Sequence, residues 1–224
     1  FPYFHWPAFP QLSRPLSLDE AAIENMRVSG CYKLFIGIES ATERVLRAMN
    51  KQQDLDQIAR RVSICRQYGI KVQGLFMLGY PGETPEEMSA TVRFAIDLGL
   101  DDAMFNAVRA YPDTQLYEEC LAAGADETAL LEYRELMPQV SEDDLTPAQR
   151  RAKDALESSG IFNIRSAMKF NLVNGVQIGT MSGEELGRAI VDAYVAFYYR
   201  EEFVERALRQ RALTAVPKYV EGLE

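Results

Sequence analysis

The sequence has 224 residues, of which 47% are hydrophobic and 25% are charged, and its formal net charge is −9 at pH 7. These values are typical of one large globular domain, or of one domain with an appendage, and they exclude a largely disordered chain. Because a duplex-binding protein usually presents a concentrated basic face, the acidic balance argues against nucleic acid as a partner, although a local basic stripe can hide under an acidic average. No apolar run approaches the length of about 18 residues that a membrane span needs.

The cysteine and histidine content excludes a disulfide framework and a zinc site. Cys31, Cys65 and Cys120 lie far apart, no CxxC pair occurs, and His5 is the only histidine. We therefore predict a cytoplasmic protein with reduced thiols, in which each cysteine is a small buried hydrophobe at a helix end or inside a helix. The chain starts at Phe1 rather than at methionine, which predicts a processed or cut piece of a longer protein.

Residues 1–16 form a lead segment rich in proline and aromatic residues, FPYFHWPAFPQLSRPL. The prolines exclude a regular helix or a central strand. The aromatic side chains are expected to pack on the outside of the domain or on a partner segment.

From residue 17 onward, helical and strand patterns alternate. The predicted strands are 33–38, 71–79 and 103–110. Capping boxes, in which a serine or threonine and a glutamate three residues later satisfy free amides reciprocally, predict helix starts at Ser17, Ser40 and Thr84. The strands are near-continuous apolar runs, which is typical of strands covered on both faces. The alternation predicts parallel βα repeats, too few for a closed eight-stranded barrel, and therefore a partial barrel, an open sheet or a fragment of either.

The pattern changes after residue 125, so we divide the chain into segments 1–16, 17–125 and 126–224. In the last segment, Thr146 and Ser182 start capped helices. The second of these helices is long and carries an apolar stripe, which predicts a helical extension that packs on the sheet.

Ligands of parallel α/β folds bind outside the carboxyl ends of the strands, so the polar residues at these ends form the candidate site. They are Glu39 and Ser40, the turn from Gly79 to Glu83, and Arg109 with Tyr111. Glycines let a ligand approach the backbone closely, and the helix amino termini that follow the turns favour anionic groups. Each residue also has a structural explanation, such as helix capping for Ser40 and a helix-dipole contact for Glu83. Their shared location favours a binding site, whereas no catalytic residue is identified.

These residues resemble the second half of a radical SAM core domain. GIES follows the first strand, FMLGYPGET ends the second, and AYPDTQLYE follows the third. Over residues 17–124 the chain is most similar to the radical SAM proteins that also bind cobalamin, next to the methylthiotransferase and coproporphyrinogen dehydrogenase branches. The stretch AYVAFY at 193–198 resembles, more loosely, the carboxyl-terminal region of the family.

The resemblance implies a partial (β/α)6 TIM-like barrel that reductively cleaves S-adenosylmethionine to start radical chemistry on an unidentified substrate. The implied cofactor-binding residues are Glu39, Ser40, Leu75, Met77, Gly79, Glu83 and Tyr111. The first two correspond to the strand end that family members use near the ribose and methionyl group. The next four correspond to the strand beside the adenine, where apolar side chains and backbone form a wall and the glutamate mainly holds the loop. Tyr111 corresponds to the end of the following strand, again near the adenine.

The sequence departs from the family because it lacks the cluster-binding motif. A 4Fe-4S cluster needs three closely spaced thiolates, expected as CxxxCxxC; the glycine-rich strand for the methionyl amine and a cobalamin domain are missing as well. We therefore expect a fragment or truncated member with a partial S-adenosylmethionine site, no metal ligands and no turnover alone. Its parent is expected to bind the 4Fe-4S cluster and, like the most similar members, cobalamin. The expected partners are a small-molecule ligand and either the missing amino-terminal half or a second chain that covers the open sheet edge.

Two other functions remain open at this point. One is a non-catalytic half-barrel that serves as a binding or scaffold module, in which residues 1–16 or a second copy of the chain cover the sheet edge. The other is an unrelated TIM-type lyase or aldolase, which is the weaker alternative because no lysine or histidine lies at a strand end as a base or Schiff-base former.

Overall fold

The computed structural model describes residues 6–8, 18–135, 140–168, 172–174 and 181–215. The strands are β1 (Trp6–Ala8), β2 (Cys31–Glu39), β3 (Lys71–Leu78), β4 (Asp102–Ala107), β5 (Tyr133–Glu135) and β6 (Leu172–Asn174). The helices are α1 (Glu20–Val28), α2 (Glu43–Ala48), α3 (Leu55–Gln67), α4 (Pro85–Asp97), α5 (Gln115–Ala122), α6 (Glu127–Leu131), α7 (Pro147–Ser159), α8 (Ile164–Met168), α9 (Gly183–Tyr198) and α10 (Glu201–Ala215). Most of the predicted lead segment and Ser17 lie outside the described residues.

The first four strands form one parallel sheet in the order β1-β2-β3-β4. Helices follow each strand, and a helical region follows the sheet. This arrangement confirms the predicted α/β class, with parallel βα repeats of a TIM-like partial barrel and a helical carboxyl-terminal extension. Pro7 of β1 lies opposite Lys33 of β2, and a proline is tolerated there because β1 is an edge strand. The lead segment therefore contributes a strand to the sheet and does not merely pack outside the domain.

One face of the sheet is buried under helices. Helices α1, α3, α4 and α9 contact this face and share one apolar core with it. Its side chains are Leu34, Ile36, Ile38, Val72, Phe76, Leu78, Ala103, Phe105 and Ala107. This layer is the core that holds the strands in register.

The opposite face, called the open face below, carries the alternate residues of the same strands. Its members from β2 to β4 are Lys33, Phe35, Gly37, Glu39, Gln73, Leu75, Met77, Asp102, Met104 and Asn106, all of them partly exposed. The prediction that both faces are covered is therefore wrong for most of these strands, because α1, α3, α4 and α9 pack on the other side. At the carboxyl end of the open face, Met77 packs against a second apolar cluster, which includes Tyr117 of α5. In a TIM-like barrel this face lines the interior.

Helix α9 covers the outer edge of β4 with tyrosine hydroxyls. The hydroxyl of Tyr198 accepts a hydrogen bond from the Ala103 N–H at 3.1 Å and donates one to the Ala103 carbonyl at 2.8 Å. The Tyr194 hydroxyl accepts from the Phe105 N–H at 3.4 Å. Because these backbone groups are bonded to side chains, no further strand pairs with β4 at these positions.

The predicted capped starts at Thr84, Thr146 and Ser182 are confirmed, each with the reciprocal pair of hydrogen bonds. These caps depend on residues only three positions apart. They also place Pro85 and Pro147 at the first helical position, where a missing N–H costs nothing.

Ser17 lies outside the described residues; helix α1 begins later than predicted, at Glu20, and is capped by Asp19, whose carboxylate accepts from the Ala22 N–H at 2.8 Å. The predicted capped start at Ser40 is wrong. Helix α2 begins after Thr42, because Ser40 is buried at the end of β2 and its hydroxyl accepts from the Thr42 N–H at 3.1 Å.

All three cysteines are buried and free, as predicted, but Cys31 opens β2 instead of lying at a helix end. Strand β4 is shorter than predicted, since its ladder ends with the bond from the Val108 N–H to the Leu78 carbonyl at 2.9 Å. Strands β5 and β6 pair as a separate antiparallel sheet. Within the described ranges, no helix combines the length and the apolar character needed to cross a membrane.

Candidate functional site

The turn after β3 is fixed by a buried carboxylate. Glu83 is 1% exposed, and its Oε2 accepts from the Gly79 N–H at 2.7 Å and from the Tyr80 N–H at 3.1 Å. Gly79 and Gly82 have φ angles of 82° and 75°, which favour glycine. The carboxylate and the two left-handed glycines together hold the peptide groups of this turn in one arrangement.

Burial raises the pKa of the Glu83 carboxyl from 4.5 to about 7. The two hydrogen bonds from Gly79 and Tyr80 oppose this shift, because they favour the charged carboxylate. Since the side chain turns back onto its own backbone, Glu83 holds the turn, in agreement with the role that the sequence resemblance implies.

Arg44 and Leu186 support the turn from two sides. The guanidinium of Arg44 donates to the Gly82 carbonyl at 2.6 Å and to both carboxylate oxygens of Glu87 at 2.8 and 2.5 Å. Leu186 packs against Gly79 so closely that a Cβ at this glycine would lie 2.6 Å from Leu186 Cδ1. Neither residue was predicted to belong to the site. In the sequence, Arg44 resembles an ordinary surface position of its helix, and Leu186 an ordinary core position.

At the end of β2, Glu39 adopts a left-handed backbone with a φ angle of 67°, where the pairing with β3 shifts register. Its carboxylate lies 3.1 Å from Lys51 Nζ and is 16% exposed. A Cβ at Gly37 would lie 2.9 Å from Glu39 Oε1, so the glycine lets the carboxylate fold back over the strand. Gln53 Nε2 donates to the Gly37 carbonyl at 2.8 Å. Glu39 therefore places a charged pair at the carboxyl end of the open face.

Ser40 is buried behind this strand end. Its hydroxyl lies 3.3 Å from Thr91 Oγ1 of α4, which also accepts from the Ala41 N–H at 3.1 Å. The hydroxyl of Ser40 thus links the start of α2 to α4. Its predicted contact with a ligand stays a prediction.

Leu75 and Met77 lie side by side on the open face, directly before the fixed turn. Leu75 is opposite Gly37 of β2 and Met104 of β4, and Met77 is opposite Asn106. Both side chains are half-buried. They form an apolar surface next to backbone groups of defined position, an arrangement that suits the face of a heteroaromatic ring.

Tyr111 follows β4 and is 48% exposed. The Arg109 guanidinium lies over its ring, 5.3 Å from the centroid. The structure thus places Glu39, Leu75, Met77 and the Gly79–Glu83 turn together at one end of the sheet, with Tyr111 beyond the neighbouring strand end. Lys51 and Gln53 also belong to this end and were missed, because they lie in a loop without any periodic pattern.

The described residues do not fit an iron–sulfur cluster. The three cysteines are buried, and burial raises the pKa of the Cys65 thiol to about 12, which disfavours the thiolate. Within the described ranges, no group of three or more His, Cys, Asp or Glu side chains is placed to hold a metal ion.

Residues 11–95 match the model of the radical SAM superfamily. An uncharacterised methyltransferase of Pyrococcus horikoshii is 36% identical over 49% of this chain and 24% of its own length. The cytidylyl-2-hydroxyethylphosphonate methyltransferase of Streptomyces wedmorensis is 32% identical over 52% of this chain and 23% of its own length. A putative methylthiotransferase of Methanocaldococcus jannaschii is 28% identical over 62% of this chain and 30% of its own length. The chain therefore spans less than a third of the length of these relatives.

Among solved structures, the radical S-adenosylmethionine methyltransferase TsrM of Kitasatospora setae, with cobalamin and a [4Fe-4S] cluster bound, superimposes with a TM-score of 0.46. The two sequences are 23% identical over 54% of this chain and 24% of the other.

Proposed function

We propose that this chain, whose residues 11–95 match the model of the radical SAM superfamily, is a segment of a radical SAM enzyme and carries the adenine and ribose side of an S-adenosylmethionine site. Reductive cleavage of the bound cofactor starts radical chemistry in this class of enzyme. The observation that carries the proposal is the turn after β3, where buried Glu83 fixes the Gly79 and Tyr80 amides beside half-buried Leu75 and Met77.

The residues of this chain would bind and orient the cofactor. Leu75 and Met77 provide an apolar wall for the adenine ring, and the Gly79 turn provides backbone groups at its edge. Glu39, held by Lys51 at 3.1 Å, offers carboxylate oxygens that can accept hydrogen bonds from ribose hydroxyls. Ser40 and Tyr111 are proposed as further contacts at the neighbouring strand ends.

The cluster and cobalamin are proposed to be held by residues outside this chain, since the described cysteines do not suit a cluster. The half-buried open face supports a further proposal, that an amino-terminal half or a second chain completes the pocket and encloses a small-molecule substrate. Methyl transfer is the proposed reaction class, because two of the relatives above are named methyltransferases.

The binding proposal is tested by isothermal titration of the purified chain with S-adenosylmethionine. Met77→Glu introduces a carboxylate into the apolar wall and is expected to weaken binding at least about tenfold, the effect of a loss of about 1.4 kcal/mol. Val28→Glu is the matched control, because Val28 is 82% exposed at the end of α1.

Binding that both variants leave unchanged would refute this location of the site. Iron and sulfide reconstitution under anaerobic conditions tests the second part of the proposal. A stable chromophore with about four irons per chain would show that the cluster ligands lie within this chain after all.

A further inference from the structure

A basic cleft lies at the end of the sheet opposite to the Glu83 turn. It encloses about 420 Å³ between the end of α3, the start of β3 and α10, and is lined by Arg66, Lys71, Asp101, Arg206 and Gln210 together with Gly69 and Ile70. Three of these side chains are cationic and one is anionic, in a chain whose net charge is −9. The cleft is thus a local exception to the acidic balance of the protein.

Two guanidinium groups converge on one turn of the backbone. Arg206 donates to the Gly99 carbonyl at 3.2 Å and to the Leu100 carbonyl at 2.6 Å. Arg66 reaches the same turn, since a Cβ at Gly99 would lie 2.6 Å from its Nη1. Lys71 Nζ donates to Gln210 Oε1 at 3.0 Å on the same cleft wall.

The cations of this cleft have no carboxylate partner. Among the residues that the structure describes, Arg66, Lys71 and Arg206 form no ion pair within 4.0 Å. The Asp101 carboxylate instead accepts from the Val72 N–H at 2.9 Å. Because the cleft holds three cations and one carboxylate, that of Asp101, the excess positive charge raises the electrostatic energy of the empty site, and a bound anion lowers it.

The attraction of cations to the carboxyl end of a helix explains the position of Arg206, but not the positions of Arg66 and Lys71. Carbonyls at the carboxyl terminus of a helix attract cations, and the contacts of Arg206 with Gly99 and Leu100 at the end of α4 fit this role. The Arg66 guanidinium, however, makes no hydrogen bond within the described part of the chain, and the Lys71 ammonium has further N–H donors. Both side chains are exposed to solvent in the cleft.

We propose that this cleft binds the phosphate group of a small ligand. Arg66 and Arg206 provide forked N–H donors that match phosphate oxygens, and Lys71 adds a point charge. The excess of two positive charges in the cleft matches a phosphate dianion. An adjoining cleft of about 360 Å³ shares Lys71, Asp101, Arg206 and Gln210 with the first, is lined further by Asp102 and Arg211, and leaves room for the organic part of a phosphomonoester.

The experiment is isothermal titration of the full chain with inorganic phosphate, pyrophosphate and glycerol 3-phosphate at constant ionic strength. Arg66→Gln and Lys71→Gln each remove one cation from the cleft and are expected to weaken binding at least about tenfold. Arg60→Gln removes the same charge from the exposed side of α3 outside the cleft and is expected to leave binding unchanged. Circular dichroism of each variant checks that the fold is retained.

Saturable binding that is weakened in the two cleft variants and unchanged in Arg60→Gln supports the site. Tighter binding of glycerol 3-phosphate than of phosphate assigns it to an organic phosphate, and equal binding assigns it to the free oxyanion. An absence of saturable binding by all three probes, or equal weakening by Arg60→Gln, overturns the proposal. None of the probes contains adenine, so these results are independent of the S-adenosylmethionine proposal.

Discussion

Two opposing effects act on the pKa of the buried Glu83 carboxyl: hydrogen bonding and burial. Two N–H donors favour its carboxylate, whereas burial favours the neutral acid and is the larger effect. The pKa of the carboxyl that holds this turn is therefore raised to about 7. This behaviour follows from the position of the side chain under the turn and not from any feature of the local sequence.

We expect the free energy of unfolding of the wild type to fall between about pH 4.5 and pH 7 because of Glu83, and we expect Glu83→Gln to abolish this contribution. The folded pKa of about 7 lies above the ordinary value of 4.5, so the stabilising contribution of the neutral acid is fully present below about pH 4.5 and is lost as the pH rises to about 7. The loss amounts to at most about 3 kcal/mol. Glutamine keeps the hydrogen-bond acceptor without the charge.

Urea unfolding at about pH 5 and about pH 8 measures this effect as the difference between wild type and variant. The variant should gain stability relative to wild type at the higher pH. A difference that does not change with pH would contradict the raised pKa of Glu83.

Gly79→Ala tests the close approach of Leu186 to the turn. The substitution adds the strain of a positive φ angle, about 1–3 kcal/mol, and its Cβ meets Leu186 Cδ1 at 2.6 Å. Gly160→Ala carries the first cost without the second, since its φ angle is 65° and no atom lies within 4 Å of the added Cβ. Denaturant unfolding should show a larger loss of stability for Gly79→Ala, and equal losses would mean that Leu186 moves aside freely.

At the scale of elements, β4 is the strand whose outer edge is sealed within the described chain. Helix α9 does this with the hydroxyls of Tyr194 and Tyr198, which bond the backbone of Ala103 and Phe105. Exposed strand edges invite pairing with other chains. The sealed edge limits any completion of the sheet by another segment to the side of β1 and β2.

Tyr198→Phe is expected to destabilise the protein by about 1–3 kcal/mol, because it leaves the buried N–H and carbonyl of Ala103 without their partner. Tyr199→Phe is the matched control at the next position. The Tyr199 hydroxyl is also buried but forms no hydrogen bond in the described structure, so its removal should cost nothing. The midpoints of thermal unfolding of the two variants are compared with that of the wild type. A similar shift in both would show that the hydrogen bonds of the Tyr198 hydroxyl do not stabilise the edge of β4.

Local and tertiary determinants explain which elements could be predicted from the sequence. The cap at Thr84 was predictable because its partner, Glu87, is three residues away. Ser40 has the same local pattern, yet it does not cap α2. Its hydroxyl instead lies 3.3 Å from Thr91 Oγ1, which belongs to a different helix. The tyrosines of α9 fit an apolar stripe, and only the fold shows that their hydroxyls serve β4. The strand-end location of the candidate site was predictable, whereas Lys51 in its loop was not.

At the scale of the whole molecule, helices bury one face of the sheet and leave the other half-exposed. The open face combines an apolar middle, with Leu75 and Met104, and two charged ends. Lys33 pairs with Asp102 at 2.6 Å at the amino end, and Glu39 pairs with Lys51 at 3.1 Å at the carboxyl end. Such a face suits the interior of a barrel that other residues complete. The chain matches less than a third of the length of the three relatives named above.

Methionine oxidation by dilute hydrogen peroxide measures whether the open face is accessible in the isolated chain. Met77 and Met104 lie on it, whereas Met88 and Met168 are 3% and 0% exposed in the core. Because oxidation follows exposure of the sulfur, the first pair should be oxidised faster than the second, as measured by mass spectrometry of peptides. Equal protection of all four in a monomeric sample would show that the chain covers its own open face. Protection of Met77 and Met104 that appears only as the protein concentration rises would identify a second copy of the chain as the cover.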